Sequence, residues 1–211
     1  MTVTVSVPLI PNELAAGAQV GFTPGVAVNT SESGNANRKT NSPPKRVYTV
    51  AISPDHSSDI QEIIMALDVA RYPVGIMDPI NFKIEDHVAQ IQPGGASAYI
   101  MRNWVPSTGV KTRDTRIVMP VEASLAVRVN DVAATSGSVS LGNYGEIFFS
   151  PALNPDTDEV RVDCQFYTPA SITDTPVAQA FGVTPDGIVQ YQFTDMKLME
   201  MFAKEFEELT A

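Results

Sequence analysis

The chain has 211 residues, with 24 acidic and 14 basic side chains and a formal net charge of −10. That balance argues against a dedicated nucleic-acid binder, which presents a basic footprint. One cysteine, Cys164, and two histidines, His56 and His87, exclude an intrachain disulfide framework and any Cys-cluster metal site.

In chain order, residues 2–7 (Thr-Val-Thr-Val-Ser-Val) alternate in period two and predict a strand closed by Pro8 and Pro11. Residues 12–46 are rich in Gly, Asn, Ser, Thr and Pro. The stretch 29–44 (NTSESGNANRKTNSPP) reads as a long loop, of a length that compact domains keep for a function. Such a segment is expected to order only by docking onto another surface. Residues 47–52 (VYTVAI) predict a strand, being β-branched and aromatic.

A helix is predicted over 59–71. Ser58 and Gln61 stand at capping-box spacing, and Asp59 and Glu62 suit the positive end of the helix dipole. Ile60, Ile63, Ile64 and Leu67 form one apolar stripe, and Tyr72-Pro73 ends the helix. A short strand at 74–77, a tight turn at Asp78-Pro79 and an alternating segment at 80–84 follow. Further strands are predicted at 98–102, 115–119, 125–129, 146–149 and 159–167. Asn130-Asp131, Gly142-Asn143 and Asn154-Pro155-Asp156 supply the turns. Short strands without βαβ alternation predict a mainly β protein, an antiparallel β-barrel or sandwich with one packed helix. At the C-terminus, residues 196–211 read as helical, with a stripe at Leu198, Met199, Phe202 and Phe206. Residues 189–193 and 198–201 have strand character as well. At this length the whole, 1–211, is expected to be a single domain.

The charge is uneven. Residues 1–46 hold two acids (Glu13, Glu32) and four bases (Arg38, Lys39, Lys45, Arg46), a net of +2, against −12 for residues 47–211. Such an asymmetry invites a partner. No apolar run approaches the roughly 18 residues of a membrane span. The N-terminus lacks a basic segment followed by an apolar one, so no secretory signal is expected.

No phosphate-binding glycine loop and no nucleophile elbow occur. Gly94-Gly95 is a pair that reads as a turn. Cys164 lies among Val160, Val162 and Phe166 on an alternating face, and is expected to be a buried small hydrophobe. His56 and His87 lack partners at metal-ligand spacing. The acids Asp156, Asp158 and Glu159 lack the calcium-loop pattern and read as a solvated turn. No catalytic residue, metal or cofactor is expected, and an interaction or structural protein is the default reading.

Ordered blocks add to this. Glu32-Ser33-Gly34-Asn35-Ala36-Asn37-Arg38 is similar to a Ser-Gly-x-x-x-Arg element, and Arg46-Val47-Tyr48 enters a strand behind it. The predicted helix precedes Pro73-Val74-Gly75-Ile76-Met77-Asp78-Pro79-Ile80-Asn81-Phe82. Then come Arg116-Ile117-Val118-Met119-Pro120, Val127-Arg128-Val129-Asn130 and Gly145-Glu146-Ile147-Phe148-Phe149. Phe166-Tyr167-Thr168-Pro169 with Asp174, and Lys197-Leu198-Met199-Glu200-Met201, close the series. In order and spacing these resemble the distal tail proteins of long-tailed bacteriophages and gene transfer agents (domain of unknown function 2460), over about residues 30–201.

The resemblance implies a β-barrel or sandwich related to tail-tube subunits. It implies a non-enzymatic virion protein, made in the host cytoplasm and placed at the tail tip. Such proteins form a ring, usually hexameric, between the tail-tube protein and the baseplate hub, with DNA passing through the lumen unbound. The loop at about 25–46, with Arg38, Lys39, Lys45 and Arg46, is the expected inter-subunit contact. Opposite net charges favour its docking on the acidic remainder of the next subunit. The competing readings are another tail component (a tail-tube or terminator subunit), a wall-degrading enzyme, and a host carbohydrate-binding module of the baseplate.

Overall fold

The computed structural model describes residues 7–23, 26–30, 36–40, 44–52, 73–104, 113–135, 137–174, 177–187 and 189–210. The expected strand at 2–7, but for Val7, and the expected helix at 59–71 lie outside the described residues.

The fold is mainly β and its sheets are antiparallel. After a helical turn (Asn12–Ala16) come β1 (Gln19–Thr23), β2 (Val26–Thr30), β3 (Ala36–Thr40), β4 (Lys45–Val50), β5 (Val74–Ile76), β6 (Lys83–Val88) and β7 (Gln90–Ile91). They are followed by β8 (Ser97–Tyr99), β9 (Met101–Trp104), β10 (Arg113–Arg116), β11 (Met119–Pro120), β12 (Ala126–Val129), β13 (Val132–Ala133), β14 (Val139–Leu141) and β15 (Glu146–Phe149). The last strands are β16 (Val160–Asp174), β17 (Ala178–Val183), β18 (Val189–Phe193) and β19 (Met196–Glu200), before a C-terminal helix (Ala203–Thr210).

β16 organises the fold. Its alternation, predicted at 159–167, continues to Asp174, and Val160, Val162, Cys164, Phe166, Thr168 and Ala170 all turn inward. In its first half Val162 pairs with Val127 of β12 on one side and His87 of β6 on the other. In its second half Ala170 pairs with Val74 of β5 and Glu200 of β19. One strand therefore serves two apolar clusters. Val160, Val162, Cys164 and Phe166 pack with Ile100 and with Ala98, Ile147 and Phe149 of the four-stranded sheet β14-β15-β8-β7. Ala170 packs with Ile10, Tyr48, Val50, Val74, Ile76, Met196 and Leu198. Burying such side chains contributes roughly 1.5–3 kcal/mol each, which is why the alternating pattern fixes the faces.

Three expectations need correction. Among the described residues the sheets do not close: the nine-stranded sheet runs β1-β4-β19-β16-β12-β13, with β5, β6 and β11 paired along β16, and ends at β1 and β13, so the barrel reading gives way to open, packed sheets. The long loop at about 25–46 contains an antiparallel hairpin, with Val28 opposite Arg38 and Ala27 opposite Lys39. The C-terminal helix starts at Ala203 and not near 196, because Met196 and Leu198 alternate into the core as β19 between β4 and β16. Strand 98–102 divides into β8 and β9 around the buried Ile100. The turns fall as expected: Asn130 and Asp131 both take left-handed φ, 51° and 64°, the geometry of a two-residue hairpin turn.

Candidate functional site

The four bases of the expected interface part company in the structure. Arg38 and Lys39 stand on β3, paired with β2. Lys45 reaches Glu205 of the C-terminal helix with Nζ–Oε distances of 2.7 and 2.8 Å, and lies 4.9 Å over the Phe202 ring. Glu205 also accepts the Phe202 N–H at 2.9 Å, the reach-back of an acid at the third helical position to the cap. Burial opposes the Glu205 charge, yet these bonds hold its pKa below the ordinary carboxylate value.

Arg46 is buried. Its charge is turned inward to Asp78, unlike the outward-facing cation expected of a docking cluster. Its Nη1 lies 2.7 Å from Oδ2 of Asp78, a carboxylate with no exposed surface. The Tyr48 hydroxyl donates to the same oxygen at 3.0 Å. The other oxygen, Oδ1, accepts the N–H groups of Ile80 and Asn81 at 2.8 and 2.9 Å. Asp78 thus closes its own tight turn and anchors β4 from one carboxylate. Burial pushes the Tyr48 phenol well above its usual range, and the Asp78 charge adds to that. Burial also opposes the charge on Arg46, but Tyr48 and Asp78 beside it outweigh burial and raise its pKa.

Beside this network lies a cavity of about 220 Å³. Arg46, Arg102 and Arg116 line it with Asp114 and Glu200, and Phe166, Met201 and Phe202 give it apolar wall. Glu200 accepts the Arg46 backbone N–H at 3.0 Å, where the β4–β19 ladder stops. The Arg116 guanidinium carbon lies over the Tyr99 ring, 3.5 Å from its centroid, and Nη1 donates to Glu207. Arg102 lies 6.0 Å from the Phe166 ring centroid. Burial lowers its pKa to about 10, with the Arg46 charge contributing.

Five of the sequence blocks converge here. Arg46 and Tyr48 come from the first, Asp78 from the second, Arg116 from the third, Thr168 and Pro169 from the closing β16 block, and Glu200 from the last. Sequence reasoning saw Asp78 only as a turn residue. Its local bonds to Ile80 and Asn81 have the spacing of a side-chain-closed turn and were legible. Its bonds to residues some thirty positions upstream were not.

Other candidates resolve into structure. Cys164 is buried, and burial pushes its thiol up to about 12, which makes it a poor nucleophile. His87 Nδ1 accepts the Asn103 N–H at 2.9 Å. Burial, and then Arg102, lower its pKa. Asp158 is tied to the turn it was read as, accepting from Asn130 Nδ2 at 2.9 Å and from the Asn154 N–H at 2.7 Å. Among the described residues no group of three His, Cys, Asp or Glu could hold a metal ion, and no helix is long and apolar enough to cross a membrane.

Surfaces suited to another chain are also present. β1 and β13 pair on one side only among the described residues, and each carries a bare apolar side chain, Phe22 at 66 % exposure and Val132 at 70 %. The hairpins β2–β3 and β17–β18 pair with no further described strand, and Val183 on β17 is exposed. Among the described residues, Lys45, Arg46, Lys83, Arg116, Arg128, Arg161, Lys197 and Lys204 are matched with acids.

No protein-family model matches the chain, and no curated protein matches it.

Proposed function

We propose that this chain is a structural, non-catalytic ring subunit of a phage-type tail tip, a distal tail protein. In this reading it joins the tail-tube protein to the baseplate hub and leaves a channel through which DNA passes unbound. The observation that carries the proposal is the convergence of the sequence blocks. Segments spread over residues 46–200 build one buried network that holds β4, β5, β16 and β19 together. Blocks that matter only as spaced words in the sequence thereby have a common physical role.

The free edges support assembly. A closed ring buries the same patch on every subunit. Strands that pair on one side only among the described residues, such as β1 and β13, offer that patch ready made. The β2–β3 hairpin replaces the expected loop as the arm that reaches a neighbour, with Arg38 and Lys39 as its cations. The net charge of −10 exceeds what the chain's own bases can offset, which suits a lumen that repels phosphate.

The test is the mass and shape of the purified chain. A ring in electron micrographs, with a mass that is a multiple of the monomer, is the expected result. Excision of residues 26–40 should reduce it to smaller species. A monodisperse monomer at every concentration, or an unchanged ring after the excision, would overturn the assembly reading. Release of peptidoglycan fragments by the purified chain would overturn the non-catalytic one.

A further inference from the structure

We propose that His87 is an acid-sensitive clasp, which holds the β9–β10 pair against β6 while its ring is neutral and lets go when Nδ1 takes a proton. The clasp is independent of the tail reading.

β9 and β10 pair with each other and with no further described strand. At the base of the pair, Ile100 donates its N–H to the Gly145 carbonyl at 3.0 Å, and Ile117 donates to the Ile100 carbonyl at 2.9 Å. Further out, Asn103 stands opposite Asp114 of β10 and turns its backbone N–H to His87 Nδ1 at 2.9 Å. Its side-chain Nδ2 donates to the Val88 carbonyl at 3.0 Å. A strand N–H ordinarily meets a carbonyl of the next strand; here an imidazole nitrogen takes that place. β6 is bulged at this point. Its register on β16 shifts between Val162 and Cys164, and Asp86 takes a φ of 58°. A bulge re-aims a side chain, and His87, next to it, reaches β9.

A backbone N–H can only donate, so the bond from Asn103 exists only while Nδ1 is bare and the ring proton sits on Nε2. Protonation of Nδ1 sets two donors face to face, and the backbone has no lone pair on nitrogen with which to answer. The charged groups facing the ring are Arg102 of β9, Asp86 of β6 itself and Asp163 of β16. The two acids favour the protonated ring, but Arg128 of β12 binds both, and Arg161 of β16 binds Asp86. Burial, and then Arg102, outweigh them and hold the His87 pKa below 6.5. The clasp is therefore complete above the ordinary histidine pKa and is lost as pH falls from there through the folded pKa. Opening exposes the outer edge of β9 and the Val88 carbonyl, groups through which a strand of another chain is able to pair.

Amide hydrogen exchange, followed by NMR on the full chain at pH 7 and pH 5.5, tests this. Each rate is corrected for the intrinsic pH dependence of exchange. The opening constant at the Asn103 N–H should rise by up to about tenfold at pH 5.5, the limit for a histidine whose pKa returns to 6.5 in the opened form. The Ile100 and Ile117 amides at the base should not follow. His87→Gln offers Asn103 an amide oxygen that accepts without titrating, and should abolish the pH dependence. Unchanged protection of Asn103 in the wild type, or a loss shared equally by Ile100 and Ile117, would overturn the proposal. So would an undiminished pH dependence in a folded His87→Gln variant. If that variant fails to fold, the wild-type comparison of Asn103 with Ile100 and Ile117 decides.

Discussion

Replacing Asp78 tests the structure where it is most committed. Asp78 is fully buried and accepts four hydrogen bonds: from the Arg46 guanidinium, the Tyr48 hydroxyl and the N–H groups of Ile80 and Asn81. Asp78→Ala strands the Arg46 charge, whose side chain is only 9 % exposed. Breaking one side of a buried ion pair costs about 3–5 kcal/mol, because the partner's desolvation is no longer offset. Against a typical total stability of about 5–15 kcal/mol, that is enough to unfold a marginal protein. Asp78→Asn is the milder probe. Its amide oxygen can still accept from Ile80 and Asn81, but its amide nitrogen faces two donors, so a loss of about 2–3 kcal/mol is expected. Arg46→Met combined with Asp78→Asn removes both charges. It should cost less than the two single changes summed by at least about 2 kcal/mol, since neither charge is then left alone. Urea unfolding followed by circular dichroism measures the wild type, the three single variants and the double variant. A cost below about 1 kcal/mol for Asp78→Ala, or additive single costs, would refute the buried-pair account.

Three further outcomes are expected. Gly145 has a φ of +68°, and a Cβ there would sit 1.8 Å from the Ile117 carbonyl oxygen, so Gly145→Ala should destabilise by about 2–4 kcal/mol in the same unfolding assay. His87 is held neutral in the fold, with a pKa below its ordinary 6.5. The unfolded chain therefore binds more protons, and this histidine's contribution is intact above pH 6.5 and lost as pH falls through the folded pKa. Melting at pH 7.5 and pH 5 should show a larger fall for the wild type than for His87→Gln, and equal falls would contradict the assignment. Cys164 should resist a thiol reagent in the native protein and react at once in denaturant, and fast native labelling would show that the β16 core is open.

What was legible followed from period and turn chemistry. Alternation at 159–167 announced a half-buried strand because successive side chains must face opposite ways. Asn130-Asp131 announced a hairpin because both residues tolerate left-handed φ. The C-terminus was ambiguous for a physical reason. Met196, Leu198, Met199, Phe202 and Phe206 satisfy a strand pattern at one end and a helical stripe at the other. Pairing with both β4 and β16 decided in favour of the strand through Glu200. The hairpin at 26–40 escaped because its sequence, rich in Asn, Ser, Thr, Lys and Arg, carries little periodic apolar signal.

The basic cluster shows the same division most clearly. The sequence by itself determined a mainly β chain, its turns, and an island of four bases in an acidic protein. It could not say that neighbours in sequence would have opposite fates. Adjacent residues on a strand point to opposite faces, so Lys45 reaches the helix surface and Glu205 while Arg46 enters the interior. Only the tertiary structure brought Asp78 to meet Arg46, and Arg102, Arg116 and Glu200 to line the cavity beside it. A charge can stay buried only where distant residues supply its partners, and no local pattern in the chain records that meeting.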